Sequence, residues 1–221
     1  AFEPENEHFY LNSIPFADHG ALLDPPTEDV TARCVSFLAQ LDKERFAEPI
    51  ARGVAYLKRD QQPDGSWWGR WGANYVYGTW SVLCALNAAG EDMNAAYVQR
   101  AVAWLKARQQ PDGGWGEDLL TYYEEHKSAV KASTASQTAW AVLGLMAAGD
   151  VESDAVKRGV AYLQEAPRDG ARWQEKLFTG IGFPKVLYLK YHGYPAYFPL
   201  WAVARYQSLM QSNTRHVAYG M

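Results

Sequence analysis

A chain of 221 residues with 48% hydrophobic and 21% charged side chains has the make-up of a globular domain with one sizeable core, which excludes a disordered polymer. A formal charge of -4 and a sequence pI near 5.7 exclude the clustered basic footprint that nucleic acid requires. The uncharged stretch 132–149 is broken by Ser133, Thr134, Ser136, Gln137 and Thr138, too polar for a membrane-spanning helix. Cys34 and Cys84 both lie inside apolar runs with no secretory signal peptide ahead of them, which predicts buried thiols in a reducing compartment. The opening Ala1-Phe2-Glu3-Pro4 lacks an initiator Met, so a start within a longer protein is expected.

In chain order, the first predicted element follows Pro25-Pro26, where Glu28 and Asp29 favour a helix N-terminus. Thr31-Ala32-Arg33-Cys34-Val35-Ser36-Phe37-Leu38 then predicts an apolar helix over 31–41. Arg52-Gly53-Val54-Ala55-Tyr56-Leu57 places Val54, Tyr56 and Leu57 on one side, with Arg52, Lys58 and Arg59 in water. That is an amphipathic outer helix. It runs into Gln61-Gln62-Pro63-Asp64-Gly65-Ser66-Trp67, a turn in which Pro fixes one φ and Gly takes a positive one. Thr79-Trp80-Ser81-Val82-Leu83-Cys84-Ala85-Leu86 is apolar nearly all round and predicts a buried inner helix over 79–89, stopped by Gly90.

The pair then repeats. Arg100-Ala101-Val102-Ala103-Trp104-Leu105 leads through Gln109-Gln110-Pro111-Asp112-Gly113-Gly114-Trp115 to Thr138-Ala139-Trp140-Ala141-Val142-Leu143-Gly144-Leu145, an inner helix over 138–148 stopped by Gly149. Arg158-Gly159-Val160-Ala161-Tyr162-Leu163 leads to Trp173 and then to Pro199-Leu200-Trp201-Ala202-Val203-Ala204-Arg205-Tyr206, an inner helix over 200–210. The third turn is frayed, with Pro167 and Ala171 where Gln and Gly would fall. The whole predicts an all-α fold, one inner helix followed by outer–inner hairpins, with no place for strands. Hairpins that each bury one face must stack or close into a ring, so an α/α barrel (toroid) is expected, incomplete in this chain, with 1–221 forming a single unit.

Gln-x-x-x-Gly-x-Trp, preceded by a basic, a small and an aromatic residue, resembles the repeat called the QW motif in squalene–hopene and oxidosqualene cyclases. Ile14-Pro15-Phe16, Asp24-Pro25-Pro26, Asp29-Val30-Thr31, Gly69-Arg70-Trp71-Gly72, Asn74-Tyr75-Val76-Tyr77-Gly78 and Gly180-Ile181-Gly182-Phe183-Pro184 extend the resemblance, in the same order, to the carboxy-terminal part of bacterial hopene cyclases. The Gln amide can bond backbone groups at a neighbouring helix end while its Trp packs beneath it, which makes these residues structural.

The resemblance implies that squalene is folded in a cavity, protonated by the middle Asp of an Asp-x-Asp-Asp motif and cyclised through carbocations, without metal or cofactor. Aromatic faces stabilise cations without trapping them. Trp71, Tyr77, Phe183, Tyr191 and Tyr194 fall at cavity-lining aromatic positions of the family, with ordinary core packing as the alternative for each. Phe2 and Leu187 fall at cavity positions where relatives carry Tyr and an aromatic. Phe16 and Ala17 fall near the constriction of the substrate channel. Asp29 falls in the hydrogen-bond network of the catalytic acid, and Arg33 where some members place a His that pairs with it. Beside Arg33, Asp29 is expected to be ionised.

No Asp-x-Asp-Asp occurs anywhere in the chain, so no catalytic residue is assigned here and the chain alone is expected to be inactive. Its expected partners are squalene or a related linear isoprenoid, the missing amino-terminal part of the cyclase, and a membrane surface. The expected place is the cytoplasmic side of the bacterial membrane, peripheral and monotopic. A homodimer stays open. Two other readings stand beside this one. A prenyltransferase-like barrel needs a zinc site, and His8, His19, His126, His192 and His216 are dispersed. A non-catalytic helical repeat module would bind a hydrophobic ligand or a partner chain.

Overall fold

The structure, a computed structural model, describes residues 8, 10, 13–15 and 25–218. Its helices alternate between two layers. The inner layer holds α1 (Glu28–Asp42), α3 (Tyr75–Ala89), α5 (Ala135–Ala147) and α7 (Tyr194–Gln211), and each packs on the next in that order. Behind them lie α2 (Ala47–Arg59), α4 (Ala96–Ala107) and α6 (Asp154–Glu165). Composition sets this division. α5 is buried along its whole length and α3 from Tyr75 to Asn87, as helices without a polar face must be. α2 buries Ile50, Val54 and Leu57 and leaves Arg52, Lys58 and Arg59 exposed. Trp67, Trp80, Trp115 and Trp140 are the largest fully buried side chains. Truncating any of them to Ala would cost about 3–5 kcal/mol.

The repeat is visible as repeated bonds. Trp67 Nε1 donates to Leu57 O (2.7 Å), Trp115 Nε1 to Leu105 O (2.8 Å) and Trp173 Nε1 to Leu163 O (2.6 Å). Each satisfies a carbonyl near the C-terminus of the outer helix, where the backbone leaves acceptors free. Gln61 Nε2 donates to Tyr97 O (2.8 Å) in the first turn of α4, and Gln109 Nε2 to Ala155 O (2.9 Å) in the first turn of α6. The two Gln residues therefore join successive outer helices. In the Pro-Asp-Gly turns Gly65 and Gly113 have φ of 97° and 86°. A Cβ there would lie 2.8 and 2.7 Å from the backbone of Arg100 and Arg158, so the turn needs glycine both for conformation and for space.

Two expectations are corrected. Strands do occur, as three antiparallel two-stranded hairpins: β1 (Trp115–Glu117) with β2 (Val130–Thr134), β3 (Arg168–Asp169) with β4 (Arg172–Trp173), and β5 (Gly180–Phe183) with β6 (Leu187–Leu189). They lie in the connections that lead to α5 and α7, and runs of two to five residues are too short to display a period of two. Helix α7 contains the expected 200–210 and begins earlier, at Tyr194, with Pro199 inside it. Cys34 is exposed whereas Cys84 is buried, because Cys34 lies on the side of α1 that also exposes Phe37 and Leu41. Burial pushes the Cys84 thiol up to about 12.

Candidate functional site: an aromatic wall around a buried aspartate

Asp29 stands in the first turn of α1 with no exposed surface. Its Oδ1 accepts from Thr27 Oγ1 at 2.7 Å. Its Oδ2 accepts from two consecutive backbone amides, Arg70 N (3.1 Å) and Trp71 N (3.0 Å). The loop that offers those amides is held by the next repeat. Tyr122 Oη lies 2.6 Å from Gly69 O and 2.9 Å from Gly72 O, and Asn74 Oδ1 accepts from Gly69 N at 3.1 Å. Glu117 Oε2 accepts from Asn74 N (2.9 Å) and Val76 N (2.8 Å), placing a carboxyl at the N-terminus of α3, where partial positive charge gathers. Glycine is required at Gly72 because a Cβ would penetrate the Tyr77 ring at 2.4 Å.

Electrostatics follow from burial. Removal from water pushes the Asp29 carboxyl above its ordinary value, and the Thr27 hydroxyl, the Trp71 and Val30 amides and the Arg33 charge oppose that push without reversing it. Arg33 contributes the smallest of these opposing influences. Arg33 Nη2 instead donates to Tyr77 Oη, and its guanidinium lies 5.4 Å from the Tyr77 ring centroid and 5.8 Å from that of Trp80. Burial drives the Tyr77 hydroxyl up to about 12. Glu117, fully buried, is likewise raised by desolvation, against the pull of the Val76 and Asn74 amides.

Above this base the predicted aromatics converge. Ile181 N donates to Trp71 O (3.3 Å), Ala73 N donates to Thr179 O (2.9 Å), and Gly72 pairs with Gly180, so the 69–73 loop lies along β5. Phe183, half-buried at the end of β5, is in register with Leu187 of β6. Tyr191 lies 4.9 Å from Tyr194, centroid to centroid, and Tyr194 stands 5.6 Å from Trp140, which in turn is 4.9 Å from Tyr77. Trp71 (39%), Tyr191 (41%) and Leu187 (45%) present open surface, whereas Tyr77 is buried. Eight predicted residues, Asp29, Arg33, Trp71, Tyr77, Phe183, Leu187, Tyr191 and Tyr194, thus belong to one region at the start of the inner helices. Phe2, Phe16 and Ala17 lie outside the described residues.

The sequence reading missed Trp80, Trp140 and Phe198, whose rings join the same cluster. Their signal was aromatic residues in the early turns of the inner helices. It also missed Arg70, whose guanidinium lies 4.3 Å from the Trp71 centroid and 5.5 Å from that of Phe183. Among the described residues no group of three His, Cys, Asp or Glu could hold a metal ion, and no helix is long and apolar enough to cross a membrane.

Comparison with known proteins gives this arrangement its context. The squalene-hopene cyclase C-terminal domain model matches residues 1–208. The squalene–hopene cyclase of Bradyrhizobium diazoefficiens is 56% identical over 100% of this chain and 34% of its own. That of Alicyclobacillus acidocaldarius is 48% identical over 96% and 33% respectively. Among solved structures, an ent-copalyl diphosphate synthase from Streptomyces platensis superimposes with a TM-score of 0.59 at 25% identity, over 85% of this chain and 34% of that one. The chain spans about a third of the length of these curated relatives. It belongs to the squalene-hopene cyclase family and represents its C-terminal domain.

Proposed function

We propose that this chain is the carboxy-terminal portion of a squalene–hopene cyclase, contributing cavity wall to a larger α/α toroid and no acid of its own. The observation that carries the reading is the convergence of Trp71, Tyr77, Phe183, Tyr191 and Tyr194 above the Asp29–Arg33 base. These groups offer π faces and no strong nucleophile, which suits a carbocation that must not be captured early. Exposed apolar side chains at both ends of the inner row, Phe37 and Leu41 on α1, Tyr197, Leu200 and Met210 on α7, support a longer barrel that continues on either side.

In the reaction so proposed, a carboxylic acid outside these residues protonates a terminal double bond of squalene. Each ring closure consumes one alkene and moves the positive charge along the chain. Loss of a proton then gives hopene, or addition of water gives the alcohol. Asp29 has no exposed surface and both its oxygens already accept hydrogen bonds; its part is to hold the 69–72 loop while Arg33, exposed beside it, faces the acid. Squalene has no polar group, so delivery from a bilayer into an apolar channel follows, with the enzyme bound to one leaflet as a monotopic protein.

The test is a chimera in which this chain replaces the corresponding carboxy-terminal third of the Bradyrhizobium diazoefficiens enzyme. Gas chromatography of squalene incubations should show pentacyclic product. In the same chimera Phe183→Ala should release partly cyclised hydrocarbons, because one cation–π contact of about 0.5–2 kcal/mol shifts competing cation fates by up to about tenfold and more. A folded chimera that binds squalene and leaves it unchanged would reject the reading.

A further inference from the structure

The Trp71 and Phe183 rings already hold a cation, and it belongs to the protein. Arg70 is only 5% exposed, and its guanidinium carbon lies 4.3 Å from the centre of the Trp71 ring and 5.5 Å from that of Phe183. Arg70 Nη1 donates to Gly182 O at 2.8 Å, bridging the 69–72 loop to β5, while the Arg70 backbone amide donates to Asp29 Oδ2. One residue therefore reaches the buried carboxyl with its main chain, two aromatic rings with its guanidinium, and the strand carrying Phe183 with its Nη1 donor. Trp71 and Phe183 sit on different segments, 112 residues apart, the first partly exposed and the second half-buried.

We propose that Arg70 is a positioning residue for the cyclisation: its guanidinium sets the planes of the Trp71 and Phe183 rings from behind, and through them determines which cationic intermediates are completed. The proposal rests on the cyclase reading above. A planar guanidinium is suited to this because it can stack on a ring face while its edge donates a hydrogen bond, whereas an ammonium on a flexible stem has no plane with which to fix a ring. A substrate cation approaches the opposite faces, so the rings act as a fixed partition between a resident charge and a transient one. Ring orientation matters because the attraction depends on the cation lying over the ring face rather than its edge.

Two readouts test it. In the 221-residue chain labelled with 5-fluorotryptophan, the Trp71 fluorine resonance is identified by its loss in Trp71→Phe. Arg70→Lys and Arg70→Gln should each shift or broaden that resonance and leave the other tryptophans in place. In the chimera, both variants should raise the share of incompletely cyclised products by up to about tenfold while squalene is still consumed. Arg70→Lys keeps a positive charge and a donor, so a purely structural or charge role predicts that it restores the native product ratio. A Trp71 resonance unchanged in both variants would overturn the clamp, whatever the activity. A native product ratio in Arg70→Lys would overturn its role in product choice. If the unsubstituted chimera leaves squalene untouched, the cyclase reading fails, and the fluorine spectrum still decides whether Arg70 orients Trp71.

Discussion

The indole N–H of Trp67, Trp115 and Trp173 shows how a single atom recurs through the fold. Each donates to a carbonyl ten residues earlier in the chain, and all three rings are buried. Replacing Trp67 or Trp173 with Phe leaves a buried carbonyl unpartnered, so each should cost about 1–3 kcal/mol in urea denaturation. The third copy should cost as much as the first although its Gln is gone. A loss confined to Trp67→Phe would show that the Gln, not the Trp, carries the repeat. Glu28 gives a prediction of a different kind. Burial, reinforced by the neighbouring charges of Asp29 and Asp60, raises it from 4.5 to about 7. A raised carboxyl stabilises the fold fully below its unfolded pKa, near 4.5, and that contribution is lost as pH rises through about 7. Glu28→Gln should therefore match the native protein near pH 4.5 and exceed it at pH 8 by roughly 2–3 kcal/mol. A difference independent of pH across this range would contradict the assignment.

Helices, turns and caps were legible to the extent that their signals are local. Gly90 and Gly149 end α3 and α5 with φ of 80° and 82°, as their placement after apolar runs predicted. Glycines of like conformation nevertheless differ in surroundings. A Cβ on Gly65 would lie 2.8 Å from the Arg100 backbone, whereas one on Gly149 would meet nothing within 4 Å. Gly149→Ala should cost only the left-handed penalty of about 1–2 kcal/mol, and Gly65→Ala distinctly more; equal melting temperatures for the two variants would refute the close approach of the turn to α4. The hairpins escaped notice because strands such as Arg168–Asp169 and Leu187–Leu189 carry no pattern of their own and form only where the connections fold over the inner-helix ends. The site divides in the same way. Trp71, Tyr77, Phe183, Tyr191 and Tyr194 were found because segment resemblance marked them. The Arg33–Tyr77 bond and the Glu117 cap on α3 were not, because each joins residues more than forty positions apart and no local spacing encodes them.

At the scale of the whole molecule, seven α-helices among the described residues make two layers, and aromatic rings gather at the inner-helix ends near the buried Asp29 carboxyl. In the proposed reading, the absence of an Asp-x-Asp-Asp sequence from all 221 residues leaves the acid that starts the reaction outside this chain. The most direct measurement is gas chromatography of squalene incubated with the purified chain alone, and with the chain joined to that part of the Bradyrhizobium diazoefficiens cyclase which it does not match. The account predicts no cyclised product from the chain alone and pentacyclic product from the joined protein. Hopene formed by the chain alone, or a folded joined protein that forms none, would contradict it.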